Sequence, residues 1–232
     1  MQESYLYLIW KDPVSRRNFT VGKLTRTNVY LFSYLEEAET AKGYGWNYLD
    51  AFPDNREYRS NVMFPAFSSR LPDRKRRDIK DILRKYQLDE YDEFNLLKKS
   101  GARLPIDTYE FIDPIFPEDE TIQRDFFVMG IRHQTACKGS DCDQLPNIEI
   151  GEHLSFSAEP DNLYDKHALR VVTDKGEHLG YVPRYYNTEI LRRLDGGKSY
   201  SCVVLEINKD GDCSECVKVR LNIPSVDDQG LI

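Results

Sequence analysis

The side chains best suited to chemistry in this 232-residue chain gather in its second half. Asn162-Leu163-Tyr164-Asp165-Lys166 sets a flat ring two residues from a cation, in a stretch of turn formers. Asn and Asp side chains hydrogen-bond their own backbone and so favour turns. A ring on a loop beside a cation suits single-stranded nucleic acid: a base stacks on the ring while the cation meets phosphate, each stacked base contributing about 1–3 kcal/mol. A purely structural turn with Tyr164 packed inward is the alternative. Cys137-x4-Cys142 and Cys213-x2-Cys216 offer four thiolates, enough for a tetrahedral zinc site if their loops converge. Unligated cysteines are the other reading, and the odd total of five argues against a disulfide framework. His133, His153, His167 and His178 fall into no metalloprotease or Ser/His/Asp pattern. Glu159, Asp161 and Asp165 cluster as a nuclease metal site would, although turn formation explains them as well.

Charge constrains how such a site works. Residues 1–115 carry 19 Lys and Arg against 18 Asp and Glu, a net of +1; residues 116–232 carry 13 against 21, a net of −8. Duplex binding rests largely on phosphate neutralisation, so any DNA contact in the acidic half must be local and geometric. No stretch approaches the roughly 18 apolar residues of a membrane span. The first 17 residues lack the basic start and long apolar core of a signal peptide. The expected location is the cytoplasm, with no membrane partner.

The elements that must position these residues follow from periodicity. Residues 5–10 and 18–24 flank the turn-rich 11–15 and read as a hairpin, with 29–34 as a third strand. Residues 40–60 suit a loop, with Gly43, Gly45 and Pro53. Between Pro72 and Leu88, Ile79, Ile82, Leu83 and Tyr86 recur at i, i+3, i+4 and i+7, which predicts an amphipathic helix. A second helix is predicted over 90–100, with Gly101 as its stop. The proline-rich, acidic stretch 111–125 marks the domain boundary, giving domains 1–113 and 126–232 with a linker at 114–125. Strands are expected over 126–133, 152–158, 168–174, 178–182, 200–207 and 217–223, with one short helix at 185–194. The fold class is therefore an α+β N-terminal domain, a small antiparallel sheet plus helices, followed by an all-β domain of six short strands in a barrel or sandwich.

Three blocks in the second half carry a resemblance: Gly130-Ile131-Arg132-His133, then the run from Glu159 to Val171, then His178-Leu179-Gly180-Tyr181-Val182-Pro183-Arg184. Their order and spacing resemble the HIRAN family over nearly all of 126–223. The resemblance implies an OB/SH3-like six-stranded barrel with one short helix that grips a single-stranded DNA end. It implies DNA contact by Arg132, Asn162, Tyr164, Asp165 and Lys166, and His133 and Arg184 beside them are further candidate DNA contacts. DNA-end-binding members place aromatics just after the first-block arginine, where this chain has His133 and Gln134.

In the first half, the run from Phe64 to Asp73 and then Phe94-Asn95-Leu96-Leu97-Lys98-Lys99-Ser100-Gly101 resemble the N-terminal subdomain of HipA-type serine/threonine kinases over roughly 4–113. No catalytic-loop aspartate motif, Asp-Phe-Gly or phosphate-cradling glycine loop follows, so no kinase activity and no enzyme is expected. The half is similar to HipS, the separately encoded subunit of three-component HipBST systems. That resemblance implies a shortened HipA-like kinase as partner, with a helix-turn-helix repressor as a further candidate. Trp46, in a glycine-flanked loop, reads as either a partner anchor or a core residue. Arg70, Arg74, Lys75, Arg76 and Arg77 read as a solvated face interleaved with Asp73, Asp78 and Asp81, or as partner or phosphate contacts, with Arg70 and Arg74 the leading partner contacts. The leading expectation is a non-enzymatic regulatory subunit of a HipA-type toxin–antitoxin or defence system that binds DNA and needs no cofactor unless zinc. A stand-alone DNA repair or replication accessory and a metal-dependent nuclease fragment are the alternatives.

Overall fold

Alternating apolar residues and a turn-forming aspartate make the first hairpin. β1 (Ser4–Lys11) pairs antiparallel with β2 (Asn18–Arg26), the register shifting between Leu8 and Ile9. The Asp12 carboxylate accepts from the backbone N–H groups of Val14 (3.2 Å) and Ser15 (2.9 Å) and from the Ser15 hydroxyl, closing the turn. The computed structural model describes residues 4–135, 145, 147–209 and 215–225. The chain divides into two compact units, residues 1–114 and 115–232.

The first unit continues through β3 (Tyr30–Tyr34), α1 (Glu37–Lys42), β4 (Tyr58–Ser60), α2 (Pro65–Ser68), α3 (Ile79–Lys85), α4 (Glu93–Ser100) and β5 (Tyr109–Ile112). The strands form one antiparallel sheet in the order β4-β3-β2-β1-β5. Its core joins Leu6, Leu8, Phe19, Leu24, Phe32 and Phe111 of the sheet to Phe67, Phe94 and Leu97 of the helices. α4 is well defined at both ends: the Asp92 carboxylate accepts from Asn95 N–H at 2.7 Å, and Gly101 terminates it in the left-handed region at φ 68°.

The first unit matches the expected sheet plus helices, with three differences. Residues 40–60 are not all loop, because α1 and β4 form within or beside them. β5, where no strand was expected, pairs with β1 and runs two residues into the stretch 111–125. The helix expected over 72–88 shrinks to the seven residues of α3, none of them buried. The Asp73 carboxylate accepts from Lys75 N–H at 2.7 Å and makes a local turn that competes with helix, and Gln87 leaves the helix at φ 56°.

The second unit contains β6 (Ile122–Phe127), α5 (Ile131–Thr135), β7 (Ser155–Ala158), β8 (Leu169–Val172), β9 (His178–Tyr181), α6 (Arg184–Asp195), β10 (Ser201–Ile207) and β11 (Val217–Ile223). The stretch read as a linker contributes to this unit. Ile115 and Ile122 are buried, and the buried Arg193 guanidinium donates to the Phe116 carbonyl at 3.0 Å. The six strands form two antiparallel three-stranded sheets, β10-β11-β6 and β7-β8-β9. A closed six-stranded barrel, as expected from the sequence, is not found among the described residues. Among the described residues, isolated bridges, Met129↔Tyr181 and His153↔Val203, join the two sheets. β6 ends at Phe127, and the chain then turns at Gly130 (φ 71°) into α5 where strand was expected up to 133. α6 covers the predicted helix and buries Tyr186 and Ile190, four residues apart on one face. No described helix is long and apolar enough to cross a membrane.

Candidate nucleic-acid interface

The three sequence blocks of the second half are tied together by backbone and side-chain bonds. Met129 and Tyr181 exchange N–H···O bonds of 2.8 Å, which fasten the first block to the third. Gly180 permits this approach, since a Cβ there would lie 2.5 Å from the Met129 carbonyl oxygen and 2.8 Å from Val128 Cγ1. β8 and β9 pair Arg170 opposite Tyr181. Glu159 joins the second block to the third: its carboxylate accepts from the Arg170 guanidinium, from Asn162 Nδ2 at 2.9 Å and from the Tyr181 hydroxyl at 2.9 Å. Arg170 and then Asn162 hold the Glu159 carboxyl well below its ordinary value of 4.5, at about 2. Burial lowers the pKa of His178, whose Nε2 lies 3.0 Å from the Gly180 carbonyl oxygen and whose ring meets Tyr181 edge-on at 4.8 Å.

Within this frame the loop between β7 and β8 organises itself. Asn162 Oδ1 accepts from the N–H groups of Tyr164 (3.0 Å) and Asp165 (3.1 Å). Asp165 Oδ1 accepts from His167 N–H at 2.9 Å, and its Oδ2 accepts from Asn187 Nδ2 of α6 at 2.8 Å. Arg184, the first residue of α6, brings its Nε to 4.0 Å from the same oxygen. The loop's polar side chains are thus turned into its own scaffold, while Leu163 and Tyr164 are 93% and 91% exposed. The inward-packed alternative for Tyr164 is therefore not the observed one. Lys166 is exposed beside the ring.

The structure brings Asn162, Tyr164, Asp165 and Lys166 onto one loop, with Arg184 at its edge. Arg132 and His133 come in differently. They lie on α5, where Arg132 Nε approaches His133 Nε2 at 3.3 Å, and this helix packs on β9 beside the Met129↔Tyr181 bridge, with Ile131 against Gly180. Asn162 and Asp165 hold the loop, so their roles are positioning ones. Sequence reasoning gave no positioning role in this interface to four further residues: Glu159, Arg170, Tyr181 and Asn187. Glu159 and Tyr181 stand in the motif blocks and gave a signal, but the partnership of Asn187 with Asp165 spans 22 residues and gave none.

Two of the three partner contacts expected in the first unit are committed internally. Trp46 is buried, donates from Nε1 to the Tyr109 hydroxyl at 2.7 Å, and packs edge-on against Tyr34 and Tyr48. It is a core residue because its loop folds back over the sheet's aromatic cluster. Arg70 is also withdrawn: its guanidinium grips Asp107 at 2.6 and 2.9 Å and donates to the carbonyls of Ala102 (3.0 Å) and Tyr109 (3.1 Å). Arg74 is exposed, its guanidinium 5.8 Å from the Tyr91 ring centre. Of the candidate zinc ligands, Cys137, Cys142 and Cys213 lie outside the described residues, and Cys216 is buried at the start of β11. Among the described residues no cluster of three or more His, Cys, Asp or Glu could hold a metal ion.

The structure is thus an α+β unit followed by a small β unit with an exposed aromatic loop. Residues 13–105 match the HipA N-terminal domain, and residues 124–221 match the HIRAN domain. The chain thus joins a HipA N-terminal domain to a HIRAN domain. No curated protein matches it. Two solved structures are similar in part. The HIRAN domain of human HLTF shares 15% identity at a TM-score of 0.36, covering 48% of this chain and 86% of that one. A protein from Lactobacillus plantarum shares 19% identity at a TM-score of 0.35, covering 44% and 94%.

Proposed function

We propose that this chain is a non-enzymatic regulatory subunit that binds DNA, at single-stranded ends, through its HIRAN domain and docks on a HipA-type kinase through its first domain. The observation that carries the DNA-binding part is the nearly complete exposure of Tyr164 on a loop whose Asn162 and Asp165 are spent on holding it. A solvated ring gains little for folding, whereas a stacked base gains about 1–3 kcal/mol from it. Lys166 is an exposed cation on the same loop, Arg184 stands at its edge paired with Asp165, and Arg132 and His133 extend the surface along α5. Binding of a short 3′-ended oligonucleotide should weaken roughly 10- to 100-fold in Tyr164→Ala. Equal affinity for the variant and the unaltered protein would sink the site.

The kinase part is supported by the pairing of the two domains in one chain. Co-expression with a HipA-like kinase that lacks its own N-terminal subdomain should yield a complex; separation of the two at micromolar concentration rejects this part. A second reading is a stand-alone DNA-binding accessory. It is favoured by the inward commitment of Trp46 and Arg70, which leaves Arg74 as the exposed member of the three expected contacts.

A further inference from the structure

The acidic HIRAN unit presents a base-stacking loop, yet phosphate neutralisation supplies much of the affinity of a DNA-binding protein. The densest basic stretch of the chain lies elsewhere. Residues 73–85 of the first unit hold seven Lys and Arg, at positions 74, 75, 76, 77, 80, 84 and 85, against Asp73, Asp78 and Asp81, a net of +4. In sequence the three acids look able to neutralise this run. In the structure each of the three acids is taken by one local partner, Asp78 and Asp81 by arginines of the run itself. The Asp73 carboxylate caps the Lys75 backbone N–H at 2.7 Å. Asp78 pairs with Arg76 at 2.8 Å, and Asp81 pairs with Arg84 at 3.0 Å. Arg74 lies over Tyr91 and Lys85 near the Tyr86 ring. Lys75, Arg77 and Lys80 remain exposed, and their side chains have no hydrogen-bond or ion-pair partner among the described residues. The segment that carries them buries nothing in α3, so these cations do not serve the core.

We propose that Lys75, Arg77 and Lys80 form a second, sequence-independent DNA contact that takes a phosphodiester backbone. Charge complementarity selects the occupant, since three solvated cations within six residues match a polyanion with regularly repeating charges. The chain then divides the work: the acidic unit reads the end through Tyr164, and the first unit supplies salt-sensitive affinity. This inference rests on the DNA-binding reading above, but its signature is different, because lost phosphate contacts change the salt dependence of binding whereas a lost stacking contact does not.

The experiment measures the affinity of the full chain for a labelled duplex with a 3′ single-stranded tail across a series of salt concentrations. The triple variant Lys75→Ala/Arg77→Ala/Lys80→Ala should reduce the slope of log K against log[salt] by about 2–3. The charge-keeping variant Lys75→Arg/Arg77→Lys/Lys80→Arg should restore it. Tyr164→Ala should weaken binding with the slope unchanged. An unchanged slope in the triple variant overturns the proposal, and release of a co-expressed kinase by that variant in place of a slope change would reassign the surface to a protein partner. If the triple variant alone affects binding, the basic segment stands and the HIRAN-loop reading fails. If the unaltered chain binds no DNA, both fall.

Discussion

The two units use the same kinds of side chain to opposite ends. In residues 1–114, Trp46 and Arg70 each meet Tyr109, one at its hydroxyl and the other at its carbonyl, and both vanish into the unit's own packing. In residues 115–232, Glu159, Arg170 and Tyr181 make a comparable polar network, but its product is a ring left almost wholly in solvent. The difference lies in the local chain. Trp46 belongs to a loop that folds over an aromatic cluster with Tyr34 and Tyr48, so burial satisfies both its face and its N–H. Tyr164 follows Asn162, whose side chain ties up the backbone N–H of Tyr164 itself and fixes the turn from beneath. An aromatic residue in a loop is thus a core residue or a recognition residue according to where the neighbouring polar groups find their partners.

That contrast can be broken most directly by truncating one ring from each unit. Trp46→Ala should cost about 3–5 kcal/mol of stability, measured by urea unfolding, while the same assay on Tyr164→Ala should show a change within about 0.5 kcal/mol. A large stability loss in Tyr164→Ala would erase the distinction. Next in size, Arg70→Ala should cost about 3 kcal/mol. It leaves Asp107 and two carbonyls without their donor, and Asp107, a quarter exposed, recovers some solvation. Because Trp46 and Arg70 share Tyr109, the double variant should lose less than the two single losses combined. In the second unit, Gly180→Ala drives a methyl group into the Met129 carbonyl and should cost about 1–3 kcal/mol. If the interface depends on that close approach, oligonucleotide binding by the folded variant weakens as well.

The sequence made some of this legible and hid the rest for identifiable reasons. The hairpin, α4 and α6 were readable because period, cap residues and stop signals agree at each: Asp92, Gly101 and the Tyr186–Ile190 spacing are all local. The helix over 72–88 was over-read because its apolar period is real, but Asp73 and Gln87 shorten it from both ends. α5 was hidden by a run that looks like strand until Gly130 turns it. The loop's identity was visible in its motif, but the bonds of Asn187 to Asp165 and of Arg170 to Glu159 were not, since they join residues 22 and 11 positions apart. The fates of Trp46 and Arg70 were equally non-local, set by Tyr109 and Asp107 more than 30 residues away.

The smallest expected effect tests whether the polar network really holds the ring out. Glu159 stays ionised in the folded protein down to about pH 2, whereas in the unfolded chain it protonates near its ordinary value of 4.5. Between those values the unfolded chain binds more protons, so the contribution of Glu159 is complete above about pH 4.5 and is lost as pH falls from there toward 2. His178 adds loss in the same direction at higher pH, because its folded form resists protonation below 6.5. In Glu159→Gln, which keeps the shape and removes the charge, the unfolding midpoint should fall less steeply than that of the unaltered protein below pH 4.5. Parallel curves over the whole range would mean that Arg170 and Asn162 do not hold the Glu159 carboxylate in solution. The loop would then owe its form to Asn162 and Asp165 alone, and the exposure of Tyr164 would be a local property of the turn.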